Sequence, residues 1–366
     1  TVRIWKRRQS VSLKGRTMNK MKLSFIGKGQ AAVMLTVFGV IFCVLNRAYT
    51  DMGTSLADTV VSVMILAVLL IPLAILAAGS EQSVPNLAAE RLGLFGRLID
   101  ILFFVYFVAA AGDILRRYSE FVSERYFPEA STAVCVIMLG AVCIYIAHTG
   151  VETVCRMSTV LIFMLALLSV VFLIGSYKDI LSFDYSFVNM PKLSVERGFK
   201  GLFPIGAAGC VCLCVMCGGM GKNTRCGAYG GIAAMLIATV LITAAVFVTL
   251  GGYTAVSEYP LADSVIYASR GGTFRNDGLF FSIWTVMCSA VISLLAACGG
   301  HSLRAAVPKI KAEGIIGGGA AVVCALAEIF TGILFCEAIA GSPVPPIILI
   351  SAVPLIIMIF GKGKKR

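Results

Sequence analysis

Residues 201–221 read Gly201-Leu-Phe-Pro-Ile-Gly-Ala-Ala-Gly-Cys-Val-Cys-Leu-Cys-Val-Met-Cys-Gly-Gly-Met-Gly221. The stretch is apolar enough to enter a bilayer, yet it carries Pro204, Gly206 and Gly209, and both residue types weaken a helix. In hydrocarbon, backbone groups freed by a break must find partners within the protein or along a cavity. The stretch therefore predicts a discontinuous membrane helix with a ligand site at its break. The alternative is an uninterrupted membrane helix whose small residues allow close packing.

The composition excludes a soluble globular protein. Hydrophobic residues make up 58% of the chain, charged residues 14%, and the mean hydropathy is +0.92. A net charge of +12 would suggest nucleic acid in a soluble protein, but here it reflects basic chain ends beside a membrane. The partners that we expect are therefore membrane lipids and not nucleic acid. The 13 cysteines lie mostly in apolar runs, where they behave as small hydrophobes and predict no disulfide framework.

Apolar runs of about 20 residues recur along the chain, and each is long enough to cross the hydrocarbon core. They predict an all-α polytopic membrane protein with ten transmembrane helices. A basic N-terminal tail (1–28) and a basic C-terminal tail (362–366) flank a single membrane domain (29–361). The ten predicted spans are 29–49, 55–78, 94–117, 131–149, 152–175, 199–219, 226–252, 276–300, 314–335 and 344–361.

The distribution of basic residues predicts that both termini are cytoplasmic. Of the 31 lysines and arginines, 21 fall on the side of the termini and 10 on the other, and basic residues favour the cytoplasm. Each half of the membrane domain (29–175 and 199–361) holds five spans. Because five is an odd number, the two halves would be inverted relative to each other if they are structural repeats. In such folds the first helix of each half, here spans 1 and 6, is interrupted at mid-membrane. Gly39 is the only break signal that span 1 offers.

Ionisable side chains inside a bilayer are costly, so each is a candidate functional residue. Glu328 lies in the middle of span 9, where it is either a protonatable coupling or gating group or a structural hydrogen-bonding group. Asp100 and Asp113 lie near opposite ends of span 3. We expect them to be interfacial or paired with nearby arginines, Arg97 for the first and Arg116 or Arg117 for the second.

Glu152 and Arg156 are spaced i, i+4 at the start of span 5, in the orientation that pairs well on a helix. They predict a structural ion pair that fixes a helix–helix contact.

No pattern points to catalysis, a metal or a cofactor. One face of a helix carries Cys210, Cys214 and Cys217, which could in principle bind a soft metal. Such a site would place the charge of three thiolates away from water and would still need a fourth ligand. His148 and His301 lie in no triad-like pattern, and no phosphate-binding loop is present. We therefore predict that the protein is not an enzyme. Residues 257–270 predict a short amphipathic helix on the outer surface.

The segment from about Ala89 to Pro191 resembles a known family. The elements that match in order and spacing are Ala89-Glu-Arg-Leu-Gly-Leu-Phe-Gly-Arg-Leu-Ile, Asp113-Ile-Leu-Arg-Arg-Tyr-Ser-Glu-Phe121, Gly150-Val-Glu-Thr-Val-Cys-Arg156 and Lys178-Asp-Ile-Leu-Ser-Phe. They resemble the permease-like B subunits of spore germinant receptors, the spore permease branch of the amino acid–polyamine–organocation transporter superfamily.

The resemblance implies a five-plus-five inverted repeat and a germinant-sensing role in the spore inner membrane. It implies two further receptor subunits, of A type and C type, as partners, and an amino acid, sugar or nucleoside as ligand. The ligand would bind between spans 1 and 6, at Gly39, Val40, Ile41, Phe203, Gly206 and Gly209. Family members usually end a Gly-rich span 1 in proline, whereas this chain has Asn46, so its ligand differs or its site is degenerate.

Two other functions stay open at this point. A proton-coupled amino acid or polyamine transporter would use Glu328 as its coupling acid. A scaffold that binds no small molecule would only assemble a complex.

Overall fold

A computed structural model describes residues 26–45, 52–80, 82–182, 203–269 and 277–360, and the regular structure of these residues is helical. In chain order the helices are α1 Lys28–Leu45, α2 Met52–Leu69, α3 Ile71–Ala78, α4 Val84–Leu92, α5 Leu94–Arg125, α6 Thr132–His148, α7 Val151–Arg156, α8 Ser158–Ser182, α9 Phe203–Met220, α10 Thr224–Leu250, α11 Pro260–Ser269, α12 Asp277–Ala306, α13 Glu313–Thr331, α14 Phe335–Ala340, α15 Val344–Ile347 and α16 Val353–Phe360. Short 3-10 helices follow α9 and α10, and a π-helical turn joins α15 to α16.

The helices confirm an all-α polytopic membrane protein. Among the described residues, six segments are long and apolar enough to cross a membrane: Ser55–Ala78, Leu94–Arg125, Val151–Val170, Thr224–Ala255, Gly278–Ala306 and Glu313–Thr331. Four shorter apolar helices lie at Lys28–Ile41, Thr132–His148, Gly206–Met220 and Val344–Phe360. Together these segments occupy the positions of the ten predicted spans. The basic tails lie largely or wholly outside the described residues.

The predicted interruptions of spans 1 and 6 are wrong for the residues that the structure describes. α1 passes through Gly39 as a continuous helix, and α9 passes through Gly206 and Gly209 in the same way. Pro204 does not break α9 because it is the second residue of that helix. A backbone N–H has no intrahelical acceptor in the first turn, so proline costs little there.

The breaks of the described helices lie elsewhere. α2 and α3 meet at Leu70, just before a proline. α13 ends at Gly332, whose φ of 69° is a left-handed conformation that favours glycine. The last span contains the π-helical turn Ile348–Ala352, directly before Pro354 at the start of α16.

α5 packs along α12, and α9 is enclosed by other helices. α5 runs beyond its predicted end at 117 as far as Arg125, and it lies antiparallel to α12. The antiparallel direction follows from two contacts, Tyr118 with Thr285 (2.5 Å between hydroxyls) and Phe107 with Gly299. In α9 nearly every residue from Gly206 to Met220 is buried, so this helix lies in the interior of the bundle.

Candidate functional site

α1 and α9 meet at Gly209, one of the predicted ligand-site residues. A Cβ atom on Gly209 would lie 3.0 Å from Phe38 Cγ and 3.1 Å from Leu35 Cδ2. Those distances are shorter than ordinary van der Waals contacts, so the backbone of α9 lies directly against side chains of α1. The absence of a side chain at this position allows the two helices to approach so closely.

The other two glycines of the predicted site face α10 and not each other. A Cβ atom on Gly39 would lie 2.5 Å from Met235 Cγ and 2.9 Å from Thr239 Cγ2. On Gly206 it would lie 3.2 Å from Leu66 Cδ1 and 3.7 Å from Met235 Cε. Met235 therefore contacts the glycine of α1 and the glycine of α9 at once. We call Gly39, Gly206, Leu66 and Met235 the Met235 site.

Two of the remaining predicted ligand residues, Val40 and Ile41, are fully buried in α1. The side chain of the third, Phe203, lies outside the described residues. The sequence reading missed Met235, which is also fully buried. A methionine inside a strongly apolar helix carries no signal of its own, because it is indistinguishable from other core residues.

The Met235 site is apolar. Its nearest hydroxyl, that of Thr239, donates hydrogen bonds to the carbonyls of Met235 (2.8 Å) and Leu236 (3.1 Å) within its own helix. With α1 and α9 continuous here, their backbone groups are engaged within the helices. In this conformation the site offers shape and apolar surface and no charged group of its own.

A second constellation joins α5 to α13 and α14 around Arg116. Arg116 Nε lies 3.0 Å from Glu328 Oε2, and its Nη2 lies 2.8 Å from Glu337 Oε2 and 3.2 Å from Asp113 Oδ1. Its Nη1 lies 2.6 Å from Glu120 Oε1. The Arg116 side chain is only 7% exposed and that of Glu328 0%, so these charges pair inside the protein.

Arg117 extends the same network. Its Nε lies 3.0 Å from Asp113 Oδ1, and its Nη2 lies 3.4 Å from Glu337 Oε1. Two guanidinium groups therefore face four carboxyl groups. We call Asp113, Arg116, Arg117, Glu120, Glu328 and Glu337 the Arg116 cluster.

Glu328 also caps α14. Its Oε1 accepts the backbone N–H of Cys336 at 2.5 Å and that of Glu337 at 3.4 Å. A carboxylate at a helix N-terminus satisfies backbone donors that have no intrahelical acceptor. Glu328 thus holds α13, α14 and α5 together across the break at Gly332.

The predicted pairing of Asp113 with the nearby arginines is present. The pairing of Arg116 with Glu328 of α13 was not predicted. Arg116 and Glu328 are 212 residues apart, and no spacing rule links such positions. The available signal was local: Asp113, Arg116, Arg117 and Glu120 follow an i, i+3, i+4, i+7 pattern within an apolar segment.

Asp100 differs from its prediction. It is fully buried, and both of its carboxyl oxygens lack a hydrogen-bond partner among the described residues. The pairing with Arg97 is therefore absent, because Asp100 faces inward from the start of α5. Tyr106, one and a half turns further along, also has a buried hydroxyl without a described partner.

Arg156 Nη2 lies 2.5 Å from Glu152 Oε1. The two side chains are 67% and 26% exposed and bridge one turn of α7. This geometry is that of a local surface ion pair.

The thiols that share a face of α9 bond to backbone carbonyls. Cys214 Sγ donates to Leu349 O at 3.7 Å, and Cys217 Sγ donates to Gln82 O at the same distance. His301 Nε2 lies 3.1 Å from Ser83 Oγ in a buried contact between α12 and the segment before α4. These contacts link α9 and α12 to their neighbours.

The short helix predicted within 257–270 is α11, Pro260–Ser269. Asp263 of α11 lies 3.3 Å from Arg125 Nη1 and accepts a hydrogen bond from the Ser257 hydroxyl at 2.5 Å. The phenol of Tyr259, just before the helix, donates to Glu124 Oε2 at 2.9 Å. α11 is thereby attached to the C-terminal end of α5.

The fold is that of a polytopic helical membrane protein. Residues 16–185 match the family model Spore_permease, described as "Spore germination protein". Over the residues that it covers, this match agrees with the spore permease prediction made from the sequence, and it supports a germination-related, permease-like integral membrane protein. Among curated proteins, none matches the chain.

Proposed function

We propose that this protein is the germinant-sensing, permease-like subunit of a spore germination receptor. It binds a small nutrient, an amino acid or a similar molecule, between α1 and α9 and signals to an A-type and a C-type partner subunit. Both termini face the cytoplasm. The observation that supports the location of the ligand is the Met235 contact, in which one side chain of α10 fills the space beside Gly39 and Gly206.

Methionine is suited to the role of an internal plug. Its side chain is unbranched and flexible, and it fills irregular spaces that another apolar group can take over. A nutrient that displaces the Met235 side chain would stabilise a conformation in which α10 no longer packs on both glycines. Ligand binding shifts a two-state equilibrium only through such a difference in contacts between the two states.

The Arg116 cluster supplies the second element of the proposal. Glu328 ties α13 to α5 through Arg116 and to α14 through two backbone N–H groups, so its ion pair with Arg116 is a gating contact whose loss frees α13 from α5. We propose that the partner subunits respond to the positions of these helices.

The direct experiment measures the melting temperature of the purified protein in detergent with individual amino acids, sugars and nucleosides. A ligand that binds only the folded state raises the melting temperature by mass action. We expect one chemical class to produce a shift and the others none. Absence of any shift at high ligand concentration would contradict nutrient sensing and favour a scaffold.

Variants of α9 and α10 glycines locate the site. Gly209→Ala places a methyl group against Phe38 and Leu35, and we expect it to abolish the ligand-dependent shift. Gly230→Ala in α10 is the matched control, because a Cβ atom there meets no atom within 4 Å. A folded Gly209→Ala protein with an unchanged shift would contradict a site between α1 and α9.

The alternative is a proton-coupled amino acid or polyamine transporter with Glu328 as the coupling acid. Uptake of the stabilising ligand into proteoliposomes under a proton gradient distinguishes the two functions. Binding without uptake supports the receptor, whereas uptake that Glu328→Gln abolishes supports the transporter. In the structure Glu328 is held by Arg116 and by two backbone N–H groups, so proton transfer through it would require these bonds to open.

A further inference from the structure

Asp100 is a buried acidic residue that neither the Met235 site nor the Arg116 cluster uses. It is 0% exposed, and neither of its carboxyl oxygens has a hydrogen-bond partner among the described residues. Asp113, on the same helix and also buried, pairs with Arg116 and Arg117. A buried carboxylate without a partner is costly, because the protein interior does not replace its contacts with water. The carboxyl group of Asp100 therefore requires a positive charge that the described residues do not supply.

Asp100 lies beside the start of α4. α4 and α5 form a hairpin that turns at Gly93, and a Cβ atom on Gly96 would lie only 1.9 Å from Ala88 O. The two helices therefore run in opposite directions in direct contact. Asp100 is one turn beyond Gly96 on the same face of α5, because residues four apart on a helix are neighbours. The matching turn of α4 begins at Val84, so Asp100 faces that end of α4.

The segment before α4 holds a further buried oxygen without a partner. Gln82 Oε1 makes no hydrogen bond within the described chain. Its neighbour Ser83 lies, through Oγ, 3.1 Å from His301 Nε2 of α12. Gly299, two residues before His301, packs against Phe107 of α5. These contacts place the segment against the first turns of α5, which hold Asp100. The unmatched side-chain oxygens in this part of the described chain are all acceptors.

The ionisable side chains on the neighbouring helices are engaged elsewhere or exposed. On α12, His301 contacts Ser83, and Arg304 Nη1 lies 3.2 Å from Glu313 Oε2. The ionisable side chains of the α4–α5 hairpin near its turn are exposed, and they are Glu90, Arg91 and Arg97. Among the described residues, the missing positive charge is therefore not a side chain.

We propose that Asp100 binds a small cation inside the protein, either an alkali metal ion or a proton. For a metal ion, Gln82 Oε1 supplies a further oxygen ligand. Both cations neutralise the carboxylate, and both bind to oxygen acceptors within membrane proteins. The site is separate from the Met235 site and from the Arg116 cluster, and its existence does not depend on nutrient sensing.

The cation site is joined to α9, the helix of the proposed nutrient site. A Cβ atom on Gly218 of α9 would lie 2.6 Å from Ser83 N, and Cys217 Sγ donates to Gln82 O at 3.7 Å. The segment that carries Gln82 therefore contacts both α5 and the end of α9. A cation held by Asp100 and Gln82 draws α4 toward α5, and its release loosens the contact of this segment with α9.

The test compares melting temperatures of the purified protein in sodium, potassium and choline chloride at equal ionic strength and fixed pH. A bound alkali ion should raise the melting temperature by a few degrees over choline, increasingly with its concentration, because it binds only the folded state. Asp100→Asn keeps the shape of the side chain without its charge, so it should melt at the same temperature in all three salts. Glu90→Gln removes an exposed carboxyl group of α4 and should keep the wild-type response.

Infrared spectroscopy of the same samples distinguishes a proton from a metal ion. A bound proton gives the carbonyl stretch of a protonated carboxyl group, present in wild type and absent from Asp100→Asn, with equal melting temperatures in the three salts. Equal melting temperatures without that band would overturn the proposal. So would a salt response that Asp100→Asn retains, again without the band. If Asp100→Asn fails to fold, the wild-type melting series and the wild-type carboxyl band still decide between these outcomes.

Discussion

The Met235 site is buried, and so is the centre of the Arg116 cluster (Asp113, Arg116 and Glu328), yet different forces hold the two together. At the Met235 site, helices approach through glycines, and one methionine fills the remaining space. In the Arg116 cluster, two arginines and four carboxyl groups join three helices. Apolar packing around a flexible side chain can be rearranged at low cost, whereas breaking a buried ion pair leaves an uncompensated charge. The difference suggests a site that changes on binding and a clamp that resists change.

The largest effect is expected from Arg116→Met. The substitution leaves Glu328 buried without its counter-charge, and removal of one partner of a buried pair costs about 3–5 kcal/mol. Denaturant unfolding in detergent measures the loss in the free energy of unfolding. Replacing both partners (Arg116→Met with Glu328→Gln) should recover part of it, since no buried carboxylate of the cluster is then left without a counter-charge: Asp113 keeps Arg117. A loss below about 1 kcal/mol for the single variant would contradict a clamp.

Met235→Ala is expected to cost about 2–5 kcal/mol, the usual range for truncating a buried methionine. Met287→Ala is the matched control, since Met287 is equally buried in α12. Both variants should lose stability, but only Met235→Ala should change ligand affinity, because it empties the space beside Gly39 and Gly206. Equal ligand binding in the two variants would show that Met235 does not occupy the ligand site.

Gly39→Ala is expected to cost about 1–3 kcal/mol by overpacking against Met235 and Thr239. The same substitution at Gly29, also in α1, meets no atom within 4 Å and should change stability by no more than about 0.5 kcal/mol. In a Met235→Ala background the cost at Gly39 should fall, because the contact at 2.5 Å is removed while the one with Thr239 at 2.9 Å remains. Melting curves of the variants test this coupling, and an unchanged cost at Gly39 in that background would contradict it.

Arg156→Met is expected to have the smallest effect, about 0.3–0.5 kcal/mol, because exposed i, i+4 pairs contribute little. It carries the same substitution as Arg116→Met and separates buried from exposed pairing. Unfolding at two salt concentrations should show that the exposed pair is screened. A loss comparable to that of Arg116→Met would mean that burial does not explain the difference.

The sequence predicts the spans of this fold well, because hydropathy over about 20 residues is a strong signal. It does not predict which face of a helix meets which neighbour. The resemblance places Gly39 and Gly206 in one ligand site between spans 1 and 6, but the crossing of α1, α9 and α10 turns both glycines toward Met235. Pro204 suggested a break, but its place in the first turn of α9 makes it harmless. The partners of Glu328 also depend on tertiary packing, since Arg116 lies 212 residues away.

Two aspartates of α5 show when helical spacing predicts an ion pair and when it does not. Asp113 lies within four residues of both arginines, so its pairing follows from helical spacing. Asp100 lies three residues from Arg97, yet it turns into the core, where helix packing and not spacing decides its surroundings.

The measurement that tests the central claim most directly is the ligand-dependent melting shift of Gly209→Ala beside that of Arg116→Met. With the nutrient that stabilises wild-type protein, we predict that Gly209→Ala loses the shift while its ligand-free melting temperature stays within a few degrees of wild type. We predict that Arg116→Met melts far lower without ligand but keeps the shift. The opposite pattern, with the shift retained in Gly209→Ala and lost in a folded Arg116→Met protein, would place recognition at the charge cluster and contradict a ligand site between α1 and α9.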